Sequence, residues 1–149
     1  MDKNSIIIRL MKEDDVPSVY RIEKDSFNDL WSEETYRNYK ADKGRVYFVA
    51  EIGGQIAAYC VAMLVLDECE ILRIAVDKNY RGKGIGEALI NAVLKGSASR
   101  GARFFYLEVR EGNIPAINLY KKVGFTQSGR RAEYYTNPKE DAVLMSCVR

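Results

Sequence analysis

Short runs of apolar residues separated by polar turns predict about seven strands along this chain. The first run is Ile6–Leu10. Two longer runs, RVYFVAEI and QIAAYCVAML, are joined by Gly53-Gly54, which accept the positive φ of a primed hairpin turn. The run Glu70–Val76 is apolar enough to be a central strand, and ARFFYLEV predicts a buried one. Two further strands are predicted around a turn at Asn137-Pro138.

Apolar residues that repeat every three to four positions, together with capping residues, predict about four helices. The first begins after Asp14 or Asp15 and the second after Ser32, because these side chains can accept hydrogen bonds from a first helical turn. Asn113 is the expected N-cap of the last helix, and Gly124 is its left-handed C′ residue. The third helix is predicted over Gly86–Arg100, with an apolar stripe of Ile85, Ala88, Leu89, Ala92 and Val93.

The resulting order, β-α-α-β-β-β-α-β-α-β-β, is typical of an α/β (α+β) protein. Its strand–helix–strand crossovers predict parallel neighbours within a mixed sheet. The sequence contains no repeat, low-complexity tract or linker, and its 149 residues are enough for one domain with a substantial core. We therefore expect residues 1–149 to form a single domain.

Composition narrows the classes of function. Apolar residues make up 47% and charged residues 30%, which is typical of a soluble globular protein. The net charge of +2 is too small to indicate nucleic-acid binding, and the pairs KK at 121–122 and RR at 130–131 are better explained as solvated faces. The N-terminal segment resembles neither a signal peptide nor a membrane span. We expect no nucleic-acid or membrane partner.

The rarer residue types restrict the chemistry further. The three cysteines, Cys60, Cys69 and Cys147, contain no CxxC pair, which argues against a zinc ribbon or a disulfide framework and favours reduced thiols in a cytoplasm. There is no histidine. This excludes Ser-His-Asp and Cys-His catalysis and every His-ligated zinc site. Any general base must be a carboxylate, Lys, Tyr, Cys or a water that they hold.

The loop RGKGIG, Arg81–Gly86, stands between a predicted strand and a helix. It fits neither the dinucleotide fingerprint nor the Walker loop, because Glu87 occupies a position that both patterns reserve for glycine. Glycines allow close backbone approach, and a helix start offers unpaired N–H groups and a positive dipole end. The pattern therefore favours a pyrophosphate site over the alternative, which is a flexible turn.

These residues resemble a known family. The segment ILRIAVDKNYRGKGIGEALI is similar to the acetyl-CoA motif of the GCN5-related N-acetyltransferases (GNAT), whose pattern [Arg/Gln]-x-x-Gly-x-[Gly/Ala] falls on Arg81, Gly84 and Gly86. The predicted element order is also that of the family. Two later segments, YLEVREGNIPAINLYKKVGF and RRAEYYTNPKEDAVLM, resemble the N-terminal acetyltransferases of the ribosomal-protein-alanine (RimI) type and the archaeal Ard1-like enzymes.

The resemblance implies a GNAT fold, with a mixed, mostly antiparallel sheet of about seven strands that is splayed in the middle, and about four helices. It also implies acetyl-CoA as co-substrate, with the pantetheine arm in the gap of the sheet. The residues implied to hold the cofactor are Ile74, Ala75, Val76, Arg81, Gly82, Lys83, Gly84, Ile85, Gly86, Glu87 and Asn113. Two simpler roles stay open: Ile74 to Val76 could be ordinary core strand, and Asn113 a plain N-cap.

Two residues suit the proton transfers that acetylation of an amine requires. Glu108 ends a strand and can act as a base through water, although it could instead be a solvated glutamate beside Arg110. Tyr120 projects from nearly the same helix face as Asn113, and it could instead be a core tyrosine. A tyrosine, with a pKa of about 10, stays protonated yet can pass a proton to a thiolate, whose pKa is about 8.5. The resemblance implies that Glu108 is the proton acceptor and Tyr120 the proton donor.

The acceptor side is also implied by the resemblance. FNDLWSEETY is similar to the substrate loop of the family, although Leu30 stands where proline is frequent and leaves the loop's shape open. Trp31, Tyr134 and Tyr135 are implied to line the peptide groove, and each could instead be a core or hairpin aromatic.

At pH 7 about a tenth of α-amino groups but only about 0.04% of lysines are neutral, so a single carboxylate base suits an N-terminal amine better.

Other functions remain open at this point. The same fold could acetylate a small amine or a protein lysine, and only Glu108 and Tyr120 together with the tyrosine pair at 134–135 favour a protein N-terminus. A non-catalytic acyl-CoA-binding module would keep the glycine loop but would not need the two proton-transfer residues. We expect acetyl-CoA and a protein N-terminus as partners, no metal, a cytoplasmic location, and a monomer or weak homodimer.

Overall fold

One seven-stranded sheet organises the residues that the computed structural model describes, which are 5–149. Residues 1–4, which the sequence analysis placed in the same domain, lie outside the described residues. The strands are β1 (Ile6–Leu10), β2 (Arg45–Ile52), β3 (Gln55–Val65), β4 (Glu68–Val76), β5 (Phe104–Arg110), β6 (Thr126–Thr136) and β7 (Lys139–Val148). The α-helices are α1 (Val16–Ser26), α2 (Glu33–Arg37), α3 (Ile85–Ser99) and α4 (Ile114–Lys122).

The element order predicted from the sequence is confirmed, and so are most of its turns and caps. Gly53 and Gly54 join β2 and β3 with φ of 55° and 78°, values that glycine adopts without strain. Ser32 caps α2 by accepting a hydrogen bond from the Thr35 N–H at 3.2 Å. Gly124 follows α4 with φ of 109°, as the C′ position requires.

The residue predicted to cap α1 is correct, but the predicted capping hydrogen bond is absent. Asp15 does occupy the N-cap position, but its side chain makes no capping bond to the helix. Its carboxylate instead accepts from Arg9 at 2.7 and 2.9 Å and from the Lys12 N–H at 2.8 Å. The Arg9 guanidinium holds the pKa of Asp15 below its usual range. The ion pair ties the start of α1 to β1, a contact that local sequence signals do not reveal.

The strand order is β1-β2-β3-β4-β5-β7-β6, and it corrects one expectation. The crossover through α3 places β5 parallel to β4, as predicted. The crossover through α4 does not make β6 a neighbour of β5, because β7 lies between them and pairs antiparallel with both. The sheet is therefore mixed and mostly antiparallel.

The two faces of the sheet carry separate cores. One core packs α3 and α4 against the sheet, and the predicted stripe of α3 supplies its centre with Ile85, Leu89 and Val93, each at most 2% exposed. The other core packs α1 and α2 on the opposite face, around Tyr36 and Tyr59. Within residues 5–149, none of the helices has the length and apolarity needed to cross a lipid bilayer.

The sheet separates between its fourth and fifth strands. β4 and β5 pair from Glu68 opposite Phe104 as far as Ile71 opposite Leu107, and no farther. At the same point the register of β4 against β3 slips, which leaves Leu72 as an extra residue in β4. A bulge of this kind bends its strand and increases its twist. The predicted splay therefore coincides with a bulge at Leu72.

Candidate active site

The gap exposes one edge of β4. On its other edge this strand pairs with β3 as far as Val76, and the Asp77 N–H donates to the Ala57 carbonyl at 2.8 Å. Backbone groups of successive strand residues alternate between the two edges, so Ala75 turns toward β3. Ile74 and Val76 are therefore the two residues of the predicted set whose backbone groups face the gap.

The glycines of the RGKGIG loop serve two different needs. Gly82 and Gly84 have φ of 77° and 78°, and Gly84 is the N-cap of α3. A side chain at either position would be strained, although a Cβ would meet no neighbour within 4 Å. Gly86 lies inside the helix, where a Cβ would come within 3.3 Å of Leu119 and 3.6 Å of Val76. Gly86 thus permits close packing of α3 on α4 and β4.

The start of α3 is open to an anion. No side chain caps it, and its first internal hydrogen bond runs from the Ala88 N–H to the Gly84 carbonyl at 3.1 Å. The N–H groups of Ile85, Gly86 and Glu87 precede that bond and point out of the helix end. Together with the helix dipole they form the kind of site that binds phosphate.

Charged side chains surround this helix start. Arg81 donates from Nε to the Val76 carbonyl at 3.1 Å, which joins the loop to the strand beside the gap. Lys83 is exposed, with its ammonium 5.6 Å from the centre of the Tyr80 ring. Glu87 forms an ion pair with Lys122 of α4 at 3.2 Å. The positive charge of Lys122 offsets the negative charge of Glu87 at the loop, where an anionic ligand would bind.

Tyr120 lies in the core between α4 and the sheet, and it is 5% exposed. Its ring packs edge-on against Phe125, with centroids 5.9 Å apart. Within residues 5–149 no protein group forms a hydrogen bond with its hydroxyl. The only side-chain oxygen or nitrogen in that range that is both fully buried and without a partner is Oγ of Ser26. The Tyr120 hydroxyl oxygen is therefore accessible to solvent. Burial raises the pKa of Tyr120 above its usual range. The hydroxyl therefore stays protonated at neutral pH and is free to donate.

Asn113 has the structural role that was its simpler interpretation. Its Oδ1 accepts from the Ala116 N–H at 3.3 Å and caps α4. The residue is exposed. The capping bond uses only the oxygen of the side chain, so the amide nitrogen can still donate to a ligand. Capping and the predicted cofactor contact are therefore compatible.

Glu108 lies on the face of β5 that is turned away from α3. The alternate residues Phe105, Leu107 and Val109 are buried at 0%, 3% and 6% exposure, whereas the Glu108 side chain is 23% exposed. The strand has already separated from β4 at this point, so Glu108 borders the gap. Its Oε1 lies 3.8 Å from Nη1 of Arg131.

An irregularity in β6 precedes two adjacent tyrosines, and the first of them shares an arginine with Glu108: the Arg131 guanidinium lies 5.4 Å from the Tyr134 ring and 3.8 Å from Glu108. The register against β7 slips between Arg131 and Tyr135, and Glu133 has φ of 52°. In a regular strand Tyr134 and Tyr135 would point to opposite faces. Here the polar interaction with Glu108 raises the pKa of Tyr134, and burial followed by the charge of Glu108 raises that of Tyr135 to about 12. Their rings meet edge-on at 5.1 Å.

Trp31 is anchored more firmly than an exposed groove residue would be. Its backbone N–H donates to Oε2 of Glu23 at 2.8 Å, and its backbone carbonyl accepts from the Tyr20 hydroxyl at 2.9 Å. Its ring lies 5.7 Å from that of Tyr36 and 4.8 Å below the Arg45 guanidinium. Trp31 thus fixes the loop between α1 and α2 to the core, and its predicted contact with an acceptor stays a prediction.

A buried carboxylate beneath this loop was not predicted from the sequence. Glu23 is 0% exposed and accepts from Tyr36 at 2.7 Å, from Arg73 at 2.7 Å and from Tyr59. Burial alone would raise the pKa of Glu23, but the hydrogen bonds from Arg73 and the two tyrosines outweigh it and lower the pKa. The sequence feature that could have revealed it is a glutamate within the apolar stripe of α1.

Together these features define a class of enzyme. A splayed strand pair offers backbone groups to an extended ligand, a helix start beside it can bind phosphates, and a carboxylate borders the gap. This is the arrangement of an acyltransferase that uses an acyl-coenzyme A. Within residues 5–149 no three carboxylate, cysteine or histidine side chains come together in a way that could hold a metal ion.

Comparison with known proteins identifies the family. A sequence profile of the Acetyltransferase (GNAT) family matches residues 16–125, and the chain belongs to this family. A Bacillus subtilis protein provisionally named a [ribosomal protein bS18]-alanine N-acetyltransferase is 37% identical over 144 residues, which cover 96% of this chain and 95% of that protein.

Solved structures give the same result. The fold is similar to that of the ribosomal-protein-S18-alanine N-acetyltransferase from Escherichia coli, with a TM-score of 0.86, 32% identity, and coverage of 97% of this chain and 94% of that one. It is also similar to Arabidopsis thaliana NAA60 in complex with a bisubstrate analogue, with a TM-score of 0.87, 25% identity, and coverage of 97% and 98%. The same plant protein has been solved in complex with acetyl-CoA. The predicted GNAT fold is confirmed.

Proposed function

We propose that this protein transfers the acetyl group of acetyl-CoA to the N-terminal α-amino group of a protein, by direct attack of the amine on the thioester. The observation that carries the proposal is the position of Glu108. It borders the gap and lies 3.8 Å from Arg131, whose guanidinium is 5.4 Å from the Tyr134 ring, and that ring packs edge-on against Tyr135. A candidate base and a candidate peptide-binding surface therefore lie close together.

The residues around the gap suit acetyl-CoA. The first N–H groups of α3, beside Gly82 and Gly84, would hold its pyrophosphate, with Arg81 and Lys83 adding positive charge. The backbone groups of Ile74 and Val76 would pair with the pantetheine arm, and Asn113 would donate from its amide nitrogen. The Arabidopsis relative that was solved with acetyl-CoA supports this choice of co-substrate. When bound, acetyl-CoA supplies the activated acetyl group.

Glu108 and Tyr120 have complementary roles in the proposal. Glu108 would accept a proton from the incoming ammonium through a water molecule, because only the neutral amine is nucleophilic. Tyr120 would give its proton to the departing thiolate. Its hydroxyl is free of protein hydrogen bonds within residues 5–149, and its raised pKa keeps it protonated.

The acceptor is proposed to be a protein N-terminus, with Trp31, Tyr134 and Tyr135 lining its groove. The E. coli relative is named for acetylating the alanine of ribosomal protein S18, which favours a ribosomal protein with a small first residue. The ordinary pKa of an α-amino group, about 7.7–8.0 against about 10.4 for lysine, also fits a site with a single carboxylate base. We further propose a cytoplasmic protein that is a monomer or a weak homodimer.

A peptide panel tests this function. One peptide begins with a free alanine, a second is identical but blocked at its N-terminus, and a third is blocked and carries one internal lysine. We expect release of coenzyme A with the first peptide alone. Faster turnover of the third peptide would replace the proposed acceptor with a lysine, and turnover of small amines alone would replace it with a small molecule.

A further inference from the structure

The two strands that separate at the gap send one arginine each to the same residue. That residue is Asp29, in the loop of residues 27–32 between α1 and α2, which we name the acceptor loop. Arg73 of β4 donates from Nη2 to the Asp29 carbonyl. Arg110 of β5 donates from Nη2 to the Asp29 carboxylate at 2.9 Å. The acceptor loop is therefore tied to both sides of the gap.

Arg110 also bonds to the turn that follows the proposed groove residues Tyr134 and Tyr135. The turn between β6 and β7, residues 137–138, directs two carbonyl groups at its guanidinium: Nη1 donates to Pro138 at 2.8 Å and Nη2 to Asn137 at 3.1 Å. Nη1 lies 3.3 Å from the carboxylate of Glu140 as well. One guanidinium thus joins the acceptor loop to this turn, although 81 residues separate Arg110 from Asp29.

The chemistry of arginine suits such a bridge. Its planar guanidinium presents five N–H donors in fixed directions, which a lysine ammonium cannot reproduce. The Arg110 side chain is only 23% exposed, so solvent screens its bonds less than those of a free surface pair. It also lies 4.3 Å above the ring of Tyr135, so that the same group fixes a proposed groove residue.

We propose that Arg110 is a positioning residue that sets the width of the acceptor groove by holding the acceptor loop and the β6–β7 turn at a fixed separation. This inference rests on the proposed function, which places the peptide in a groove lined by Trp31 of the acceptor loop and by Tyr134 and Tyr135, just before the β6–β7 turn. A groove held at a fixed width favours a peptide with a small first residue and disfavours a bulky one. Arg110 would therefore contribute to acceptor affinity and selectivity without touching the reacting atoms.

Steady-state kinetics of Arg110→Ala provide the first test. We expect the KM for an alanine-initiated peptide to rise by about fivefold or more while the KM for acetyl-CoA stays within about twofold, because only the acceptor side changes. Discrimination against a phenylalanine-initiated peptide should weaken. The matched control is Arg130→Ala, which removes another arginine with two carboxylate partners, Glu111 and Asp141 at 2.6 and 3.1 Å. Within residues 5–149, none of the hydrogen bonds of Arg130 reaches the acceptor loop or residues 137–138.

Hydrogen exchange provides a second test that does not depend on activity. Arg110→Ala should speed amide exchange in the acceptor loop and in the β6–β7 turn together, and Arg130→Ala should not do so. Asp29→Asn, which keeps the Arg73 contact, guards against loss of folding and should raise the acceptor KM in the same direction. An Arg110→Ala variant with unchanged acceptor KM and unchanged exchange in the acceptor loop would overturn the inference.

The two proposals fail in distinguishable ways. If the wild-type protein acetylates only a blocked lysine peptide, the proposed function is wrong, and the exchange comparison still decides whether Arg110 holds the two segments together. If the wild-type protein acetylates the free N-terminus but Arg110→Ala and Arg130→Ala behave alike, the proposed function stands and the positioning role of Arg110 is wrong.

Discussion

Arg73 donates to Glu23 at 2.7 Å beneath the acceptor loop, where the two side chains are 14% and 0% exposed. Arg73 also lies over the Phe27 ring at 3.8 Å and contacts the Asp29 carbonyl. The buried pair therefore joins the core of the α1 face to the loop that is proposed to receive the acceptor. Removal of either charge would leave its partner buried and uncompensated.

We expect Glu23→Gln to destabilise the protein by about 3 kcal/mol at pH 7, because breaking a buried ion pair leaves an unpaired charge. Urea unfolding measures this change. The control is Glu33→Gln, which breaks an exposed pair with Arg37 on α2 and should cost less than about 1 kcal/mol. Equal costs for the two variants would contradict the assigned importance of the buried pair.

The pH dependence of this effect has a definite sign. Folding lowers the pKa of Glu23 from its ordinary 4.5, so its contribution to stability is fully present above pH 4.5 and is lost as the pH falls through the folded value. The stability difference between the wild type and Glu23→Gln should be constant from neutral pH down to about pH 5.5 and shrink below about pH 4.5. A difference that grows on acidification would show that Glu23 is not ionised in the folded protein.

Gly84→Asp should abolish most acetyl-CoA binding. It places a side chain and a negative charge at a left-handed position beside the open N–H groups of α3. Calorimetry should show a loss of at least about tenfold in affinity, or about 1.4 kcal/mol.

Gly101→Asp is the matched control for this substitution. Gly101 follows the other end of α3, has φ of 102°, and has open space around its Cβ position. Its substitution should lower stability through backbone strain but leave acetyl-CoA affinity unchanged. Retention of wild-type affinity in a folded Gly84→Asp variant would rule out the phosphate site.

Tyr120→Phe should lower kcat by about 10²–10⁴-fold, the usual contribution of a general acid or base, with little change in the KM for acetyl-CoA. Because no protein group within residues 5–149 bonds the Tyr120 hydroxyl, the loss of this oxygen should cost little stability. Tyr59→Phe removes a hydroxyl that does bond Glu23, so it should reduce stability more and kcat less. An unchanged kcat would reduce Tyr120 to a packing residue.

Glu108→Gln should slow the reaction most at low pH. An α-amino group has a pKa of about 7.7–8.0, so above about pH 8 much of the acceptor is already neutral and part of the lost rate should return. A pH–rate profile from 6 to 9 checks this. The control is Glu111→Gln, which should keep the wild-type profile. Glu111 is the first residue after β5 and is paired with Arg130. A constant fold-loss across the range would argue against Glu108 as the base.

Local sequence patterns predicted most of the fold, and the glycine loop predicted the candidate phosphate site. The hairpin at Gly53-Gly54 and the cap at Ser32 depend on residues close together in sequence, and the structure confirms both. The ties of Arg73 to Glu23 and of Arg110 to Asp29 span 50 and 81 residues, so spacing rules could not reveal them. These long-range contacts hold the loop that is proposed to receive the acceptor.

The tail shows a different limit. The two strands predicted around the turn at Asn137-Pro138 are present, but the register between β6 and β7 slips just before Tyr135. The slip coincides with a hydrogen bond from the Glu133 N–H to Asp141 and with a φ of 52° at Glu133, neither of which has a sequence signature. The sequence could therefore identify the two tyrosines as candidates but could not predict the irregular backbone that precedes them.

The site of acetylation on a single peptide tests the central claim most directly. A peptide with a free N-terminal alanine and one internal lysine offers both amines to the enzyme at equal concentration. After incubation with acetyl-CoA, tandem mass spectrometry locates the added acetyl group. The account predicts that it lies on the alanine α-amino group and that Glu108→Gln suppresses it. An acetyl group found predominantly on the lysine side chain would contradict the account.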